Sequence, residues 1–184
     1  MRPLSLDRAE WIGRFRYEEK ALARVFGEHA IAIEHVGSTS VPGLAGRPIV
    51  DILVGLRGVA PVPDELAALK DLGYGRVRPR ESRLYVCKGT PRAVTVHFAQ
   101  WGSARWFRMI DFRQVLRSDE DARRRYAALK GRLADAGPGG YAEAKRLFIR
   151  AELERLALER RRPYTGSRTL RATEVKATER TEEL

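Results

Sequence analysis

The sequence predicts an α/β (α+β) fold: a mixed β-sheet with flanking helices, followed by a C-terminal helical section. Two observations indicate this class. The first hundred residues alternate between strand and helix patterns in the order α-β-loop-β-α-β-β-β, and the residues after them carry apolar side chains at helical spacing only. We expect one domain over residues 1–160 and a polar, mobile tail over residues 161–184, where periodic apolar residues cease.

The chain is expected to begin with a helix and a strand. Between Asp7 and Phe26, Trp11, Phe15 and Leu22 share one helical face with Phe26, and Asp7 is a candidate N-cap. The segment AIAIEHV, residues 30–36, alternates and is rich in Ile and Val, which predicts a strand.

A loop, a second strand and a second helix are predicted next. The segment GSTSVPGLAGRP, residues 37–48, is punctuated by Gly and Pro, as loops are. The near-continuous apolar run IVDILVGL, residues 49–56, is typical of a strand covered on both faces. The segment PDELAALKDLG predicts a short helix with Gly73 just past its end.

Three candidate strands and three helices complete the chain. The segments YGRVR, RLYVCKG and AVTVHFAQ favour strands, and the turn KGTPR indicates a hairpin between the last two. A helix is expected from Ser103 to Leu116, and Ser118 with Asp121 resembles a capping box for the next. After the break at AGPGG, a last helix is expected from Tyr141 to Glu159.

The charge of the chain favours anionic partners. The net charge is +11 and the isoelectric point about 10.4. Such a balance attracts phosphates in nucleic acids, nucleotides or coenzymes. The alternative is that the positive charge only reflects a generally Arg-rich composition. Nucleic acid is therefore one candidate partner, and a nucleotide or phosphorylated small molecule is another.

Other classes are excluded by composition. The single cysteine, Cys87, rules out an internal disulfide framework and a metal site built on several thiolates. No run of about 18 apolar residues predicts a membrane span. The N-terminal segment MRPLSLDRAEW lacks an apolar signal core, so we expect a cytoplasmic protein without membrane partners.

The loop after the first strand is a candidate phosphate site. Gly37 permits backbone conformations that are closed to other residues. The amides and hydroxyls of Ser38, Thr39 and Ser40 would converge on one spot if they open a short helix or turn, and such a spot suits a phosphate. The alternative is a turn that simply needs Gly and small polar residues, with its hydroxyls capping a helix.

Asp51 stands alone in an apolar strand. A carboxylate there costs several kcal/mol unless it is paired, hydrogen-bonded or metal-bound. It is therefore a candidate catalytic and metal-binding residue. The alternative is a buried salt bridge to Arg47.

Two histidines are catalytic candidates because strand pairing could bring them to Asp51. His97 lies in VTVHFAQ, and His35 directly precedes the glycine loop. If both strands neighbour that of Asp51, all three side chains reach one pocket. A lone histidine in a strand is more often structural, which remains the alternative for each.

Basic residues of the helical section are candidate phosphate ligands, and Arg47 of the loop is another. Arg113, Arg117, Lys130 and Lys145 could line one basic surface. The alternative for each is a solvated helix face.

The loop and the strand after it, EHVGSTSVPGLAGRPIVDILV, resemble the signature of the GrpB family. The segments WIGRFRYEEKAL and VTVHFAQWGSARW resemble the first helix and the His-bearing strand of that family, and the last helices resemble its C-terminal helices. The resemblance covers Arg8 to Leu158.

This resemblance implies a nucleotidyltransferase-like fold, because the GrpB family is placed in that superfamily. It implies that Gly37 and Ser38 hold triphosphate oxygens and that Asp51 binds Mg²⁺. The sequence departs from the superfamily pattern at two positions: Leu53 stands where the second carboxylate is expected, and His97 matches the third.

The sequence is therefore compatible with two functions. In the first, the protein transfers a nucleotidyl group from an NTP to an unknown acceptor with a reduced set of carboxylates and possible use of Mg²⁺. In the second, the same loop belongs to a non-catalytic module that binds a nucleotide, a phosphometabolite or an RNA end.

Overall fold

A computed structural model describes residues 8–75, 84–133 and 138–161 of the protein. In these ranges the helices and strands follow the predicted order, and the mixed α/β fold class is confirmed. Their bounds are α1 Arg8–Phe26, β1 Ala30–Val36, β2 Val50–Leu56, α2 Pro63–Asp71, β3 Tyr85–Lys88, β4 Val94–Gln100, α3 Ala104–Ser118, α4 Glu120–Arg132 and α5 Pro138–Arg161.

The four strands form one mixed sheet in the order β1-β2-β4-β3. Strand β1 pairs antiparallel with β2, β2 pairs parallel with β4, and β4 pairs antiparallel with β3. The hairpin predicted around KGTPR is thus confirmed as β3–β4. The loop from β1 to β2 leaves the sheet at Gly37 and returns at Val50, beside β4.

One face of the sheet carries the main apolar core. Strand alternation places every second residue on this face, where α1 and α2 pack against it. The helices contribute Trp11, Leu22 and Phe26 from α1 and Leu69 from α2. The strands contribute Val50, Ile52, Val54, Leu56, Val86, Val94, Val96 and Phe98.

The opposite face is only partly covered by apolar side chains. Trp106 of α3 packs there on Val36, Leu53 and Ala99. Asp51 lies on the same face as Leu53, because side chains two residues apart point to one side of a strand.

The C-terminal helices form a second apolar cluster that also holds the loop between β1 and β2. Phe112 of α3, Tyr126 of α4 and Phe148 of α5 pack ring against ring, with centroids 5.3 to 6.3 Å apart. Val41 and Leu44 of the loop are buried in the same cluster. The loop therefore connects the sheet to the helical section.

Several predicted boundaries shift. The side chain of Asp119, rather than that of Ser118, caps α4 by accepting from the Ala122 amide. Helix α5 begins at Pro138 rather than Tyr141, since proline is well tolerated in a first helical turn. Ser103 caps α3 as expected.

Some predictions fall on residues outside the described ranges. These are the cap at Asp7, most of the candidate strand YGRVR and the tail beyond Arg161. Of that candidate strand, Tyr74 forms an isolated bridge to Lys88. Within the described ranges, no helix combines the length and apolarity needed to cross a membrane.

Candidate functional site

The site is built where the loop after β1 touches β2. Gly37 has φ +74°, a conformation that favours glycine. A Cβ at this position would lie 2.6 Å from Oδ2 of Asp51. Both the backbone angle and the close approach therefore require Gly37, and the loop backbone lies directly against the Asp51 carboxylate.

The hydroxyls of the loop divide into two groups. Residues Ser38–Ser40 form a 3-10 turn, in which Thr39 and Ser40 are buried. Ser40 Oγ donates to Gly37 O at 2.7 Å, and Thr39 Oγ1 donates to Ile49 O at 3.3 Å. These two hydroxyls hold the turn together. For Ser38, half-buried, no hydroxyl bond is found within the described part of the chain.

Asp51 and His97 are brought together across β2 and β4. Nε2 of His97 lies 3.4 Å from Oδ1 of Asp51, and the two side chains are 24% and 29% exposed. Burial raises the pKa of Asp51, but the hydrogen bond and charge of His97, with the charges of Lys145 and Arg92, outweigh burial and hold this pKa below its usual value. Asp51 is thus ionised at neutral pH.

Four cations form a linked group that we call the basic cluster: Arg47, Arg92, Lys130 and Lys145. Two of them act directly on this carboxylate. Lys145 and Arg92 act on the charge of Asp51, as described above. Burial, followed by repulsion from Lys145 and Arg47, lowers the pKa of Lys130 to about 8. Several positive charges therefore gather here close enough to repel one another, and such an arrangement favours an anion.

Lys130 also ties the loop to α4. Its side chain is buried, and Nζ donates to the carbonyl of Ala45 and lies 5.1 Å from the ring centroid of Tyr126. Three of the predicted phosphate ligands, Arg47, Lys130 and Lys145, are thus brought close to one another. The sequence did not reveal that Arg92 lies near Asp51. The available signal was its position in the predicted turn between β3 and β4.

The prediction that His35 shares a pocket with Asp51 and His97 is wrong. His35 pairs with Ile52, so alternation turns it to the opposite face of the sheet. There it stacks on Phe15 at 4.9 Å between centroids, and Nε2 lies 3.0 Å from Thr39 Oγ1. Burial is the largest of the effects that lower its pKa to about 4, so the ring is neutral at pH 7.

Arg113 is directed at the protein backbone rather than at the basic cluster. It is buried, and its NH1 donates to Glu34 Oε2 at 2.6 Å and to the carbonyl of His35 at 2.8 Å. One helical turn later, Arg117 donates twice to the carbonyl of Ser40, at 2.8 and 3.1 Å. These two arginines of α3 hold the end of β1 and the first turn of the loop that follows it.

Leu53 explains why only one acid is present on β2. It is fully buried beneath Trp106, in the apolar cluster on this face of the sheet. A carboxylate there would lose its hydration in this apolar cluster. The packing on this face therefore favours an apolar residue at position 53.

The described residues fit Mg²⁺ poorly. This ion prefers several oxygen ligands, whereas the site offers one carboxylate, an imidazole and surrounding cations. In the ranges that the structure describes, no group of three or more His, Cys, Asp or Glu side chains is placed to hold a metal.

Comparison with known proteins places the chain in a family. The model of the family described as "GrpB protein" matches residues 4–155. A UPF0157 protein of Halalkalibacterium halodurans is 34% identical over 79% of this chain and 77% of its own length. A UPF0157 protein of Streptomyces coelicolor is also 34% identical, over 83% of both chains.

Solved structures agree with this placement. The crystal structure of the conserved protein GrpB from Enterococcus faecalis superposes with a TM-score of 0.70 at 32% identity, covering 82% of this chain and 93% of that chain. A distant likeness to the Cid1 poly(U) polymerase, at a TM-score of 0.45 and 11% identity, carries no weight. The family match and the relatives together show that this chain belongs to the GrpB family.

Proposed function

We propose that the protein binds the phosphate chain of a nucleoside triphosphate between the Gly37–Ser38 backbone and the basic cluster. The observation that supports this most is the basic cluster, two of whose cations act on the Asp51 carboxylate, at a loop whose glycine lies against that carboxylate. Mutual repulsion among Lys130, Lys145 and Arg47 is relieved when a polyanion enters. Magnesium is at most an accessory to this binding, given the poor fit of the donors.

The test is nucleotide binding by calorimetry and by thermal shift. A ligand that binds only the folded protein must raise the melting temperature, by mass action. We expect ATP and inorganic tripolyphosphate to stabilise the wild type at millimolar concentration, with or without Mg²⁺. Lys130→Met should weaken both ligands about tenfold or more, as expected for loss of a charged contact.

A matched control is Lys20→Met. Lys20 is exposed on α1, so this variant removes one positive charge away from the basic cluster. This variant should bind like the wild type. If no nucleotide shifts the melting temperature of the wild type, the proposal is abandoned.

A second candidate, nucleotidyl transfer, rests on the Asp51–His97 contact. In that role an acceptor hydroxyl attacks the α-phosphorus, pyrophosphate leaves, and His97 takes the hydroxyl proton. Asp51, ionised by its surroundings, holds Nε2–H of His97 and leaves Nδ1 to accept that proton. The acceptor is unassigned.

Pyrophosphate release separates transfer from binding. With candidate acceptors supplied, we expect release by the wild type and at least a hundredfold less by His97→Gln, the usual scale of a lost general base. Binding of ATP without release under any acceptor would instead support the non-catalytic module.

A further inference from the structure

Part of the sheet face that carries Asp51 is accessible among the described residues, since Asp51 and His97 are 29% and 24% exposed. Trp106 of α3 covers the region around Leu53 and Ala99. The edge strand β3 makes its extensive contacts with β4 alone, as far as the described residues go. Among the described residues, the partly exposed side chains on this face run from Asp51 across His97 to Tyr85 on β3.

Tyr85 lies at the open end of this face. In the sheet register Tyr85 is directly opposite His97, which in turn is opposite Leu53 on β2. The rings of Tyr85 and His97 are 6.1 Å apart between centroids and inclined by 44°. Tyr85 is half-buried, so its ring is supported by β4 while part of its surface stays accessible.

The spacing between Asp51 and Tyr85 suits a nucleoside. The two residues stand on strands separated by one further strand and are offset by two residues along the strands, so their backbones are about 12 Å apart. The basic cluster lies on the Asp51 side of this interval and the aromatic ring on the other. A ribose bridges such a distance between a phosphate chain and a base.

We propose that Tyr85 is the stacking surface for the base of the bound nucleotide. The inference rests on the proposed function, since the phosphate chain must lie at the basic cluster for the base to reach β3. Stacking on one tyrosine is tolerant of base identity, because every base offers a π-face. The site would accordingly distinguish nucleotides from inorganic polyphosphate more strongly than it distinguishes one base from another.

Two ligands measured side by side test this assignment. ATP should bind the wild type about tenfold tighter than inorganic tripolyphosphate, the scale of one base stacked on an aromatic ring. Tyr85→Leu, which keeps an apolar side chain in the strand, should bind the two ligands equally, with tripolyphosphate affinity unchanged. Tyr85→Phe should retain the preference for ATP.

Controls separate the possible failures. Tyr17→Leu removes an exposed tyrosine from α1 and should retain the preference for ATP. An unchanged ATP preference in Tyr85→Leu, or an equal loss of both ligands, overturns the assignment while the proposed function stands. Absence of binding of either ligand to the wild type overturns both.

Discussion

At the scale of single residues, the contact between Gly37 and Asp51 determines the shape of the site. The sequence pointed to both, because a glycine in a polar loop and an acid in an apolar strand are each out of place without a reason. It did not reveal that the two touch, since this depends on how the loop returns to the sheet. His35 was misplaced for a related reason: strand alternation, rather than distance along the chain, decides which face a side chain occupies.

The first prediction concerns Gly37→Ala. The new Cβ would combine an unfavourable φ with a clash against Oδ2 of Asp51, so the free energy of unfolding should fall by about 2 kcal/mol. Urea denaturation measures it. Gly13→Ala is the control, because a Cβ at Gly13 of α1 meets nothing within 4 Å and should stabilise the helix by about 0.5–1 kcal/mol. Equal stabilities of Gly37→Ala and the wild type would contradict the contact.

The second prediction concerns acid stability and His35. The folded pKa of about 4 lies below the usual value of 6.5, so the unfolded chain takes up a proton first as pH falls. The stabilisation is complete above pH 6.5 and is lost between 6.5 and about 4, amounting to about 3 kcal/mol. Urea titrations at several pH values should show this loss in the wild type and a smaller one in His35→Gln. Parallel pH profiles would count against it.

At the scale of elements, α3 positions the loop without contributing to the basic cluster. Its arginines at positions 113 and 117 lie one turn apart and reach carbonyls at the end of β1 and in the first turn of the loop. The sequence placed α3 well, from its cap and its spacing. It assigned Arg113 to phosphate, because an arginine at a helix face looks the same whether its partner is a ligand or a backbone carbonyl.

The third prediction concerns Arg113→Ala. Removing the guanidinium leaves the buried carbonyl of His35 without this donor and Glu34 without its ion-pair partner, so stability should fall by about 2–3 kcal/mol. Hydrogen exchange of the loop amides should accelerate as well. Arg108→Ala, at an exposed position of the same helix, should change stability by less than about 0.5 kcal/mol. Unchanged exchange in the loop would show that α3 does not position it.

At the scale of the whole molecule, composition predicted the net charge but not where in the fold that charge gathers. The net charge of +11 indicated an anionic partner, and the fold gathers part of that charge around Asp51. The cluster draws on the loop, the β3–β4 turn, α4 and α5, whose mutual approach no local pattern reveals. The fold class, in contrast, followed from hydrophobic periodicity, because each strand and helix has a pattern in its own short segment of sequence.

The fourth prediction concerns salt and single-stranded RNA. If the four cations of the basic cluster neutralise four phosphates at an RNA end, affinity should fall about fiftyfold between about 50 and about 200 mM salt. Fluorescence anisotropy with a short labelled RNA measures the slope. Competition by tripolyphosphate should accompany it, because both ligands would occupy one place. Salt-insensitive binding would speak against any polyanion partner.

The loop between β1 and β2 packs both against the sheet and against the C-terminal helices. Its first residues lie against Asp51, whereas Val41 and Leu44 are buried among the C-terminal helices. If either the sheet or the C-terminal helices unfolded, the loop would lose contacts that the other part needs for its packing. Calorimetry should therefore record one cooperative heat-absorption peak, and two separated peaks would refute this. The C-terminal helices thus support the loop that forms the candidate site. A truncated chain that lacks these helices should lose both its fold and its ligand binding.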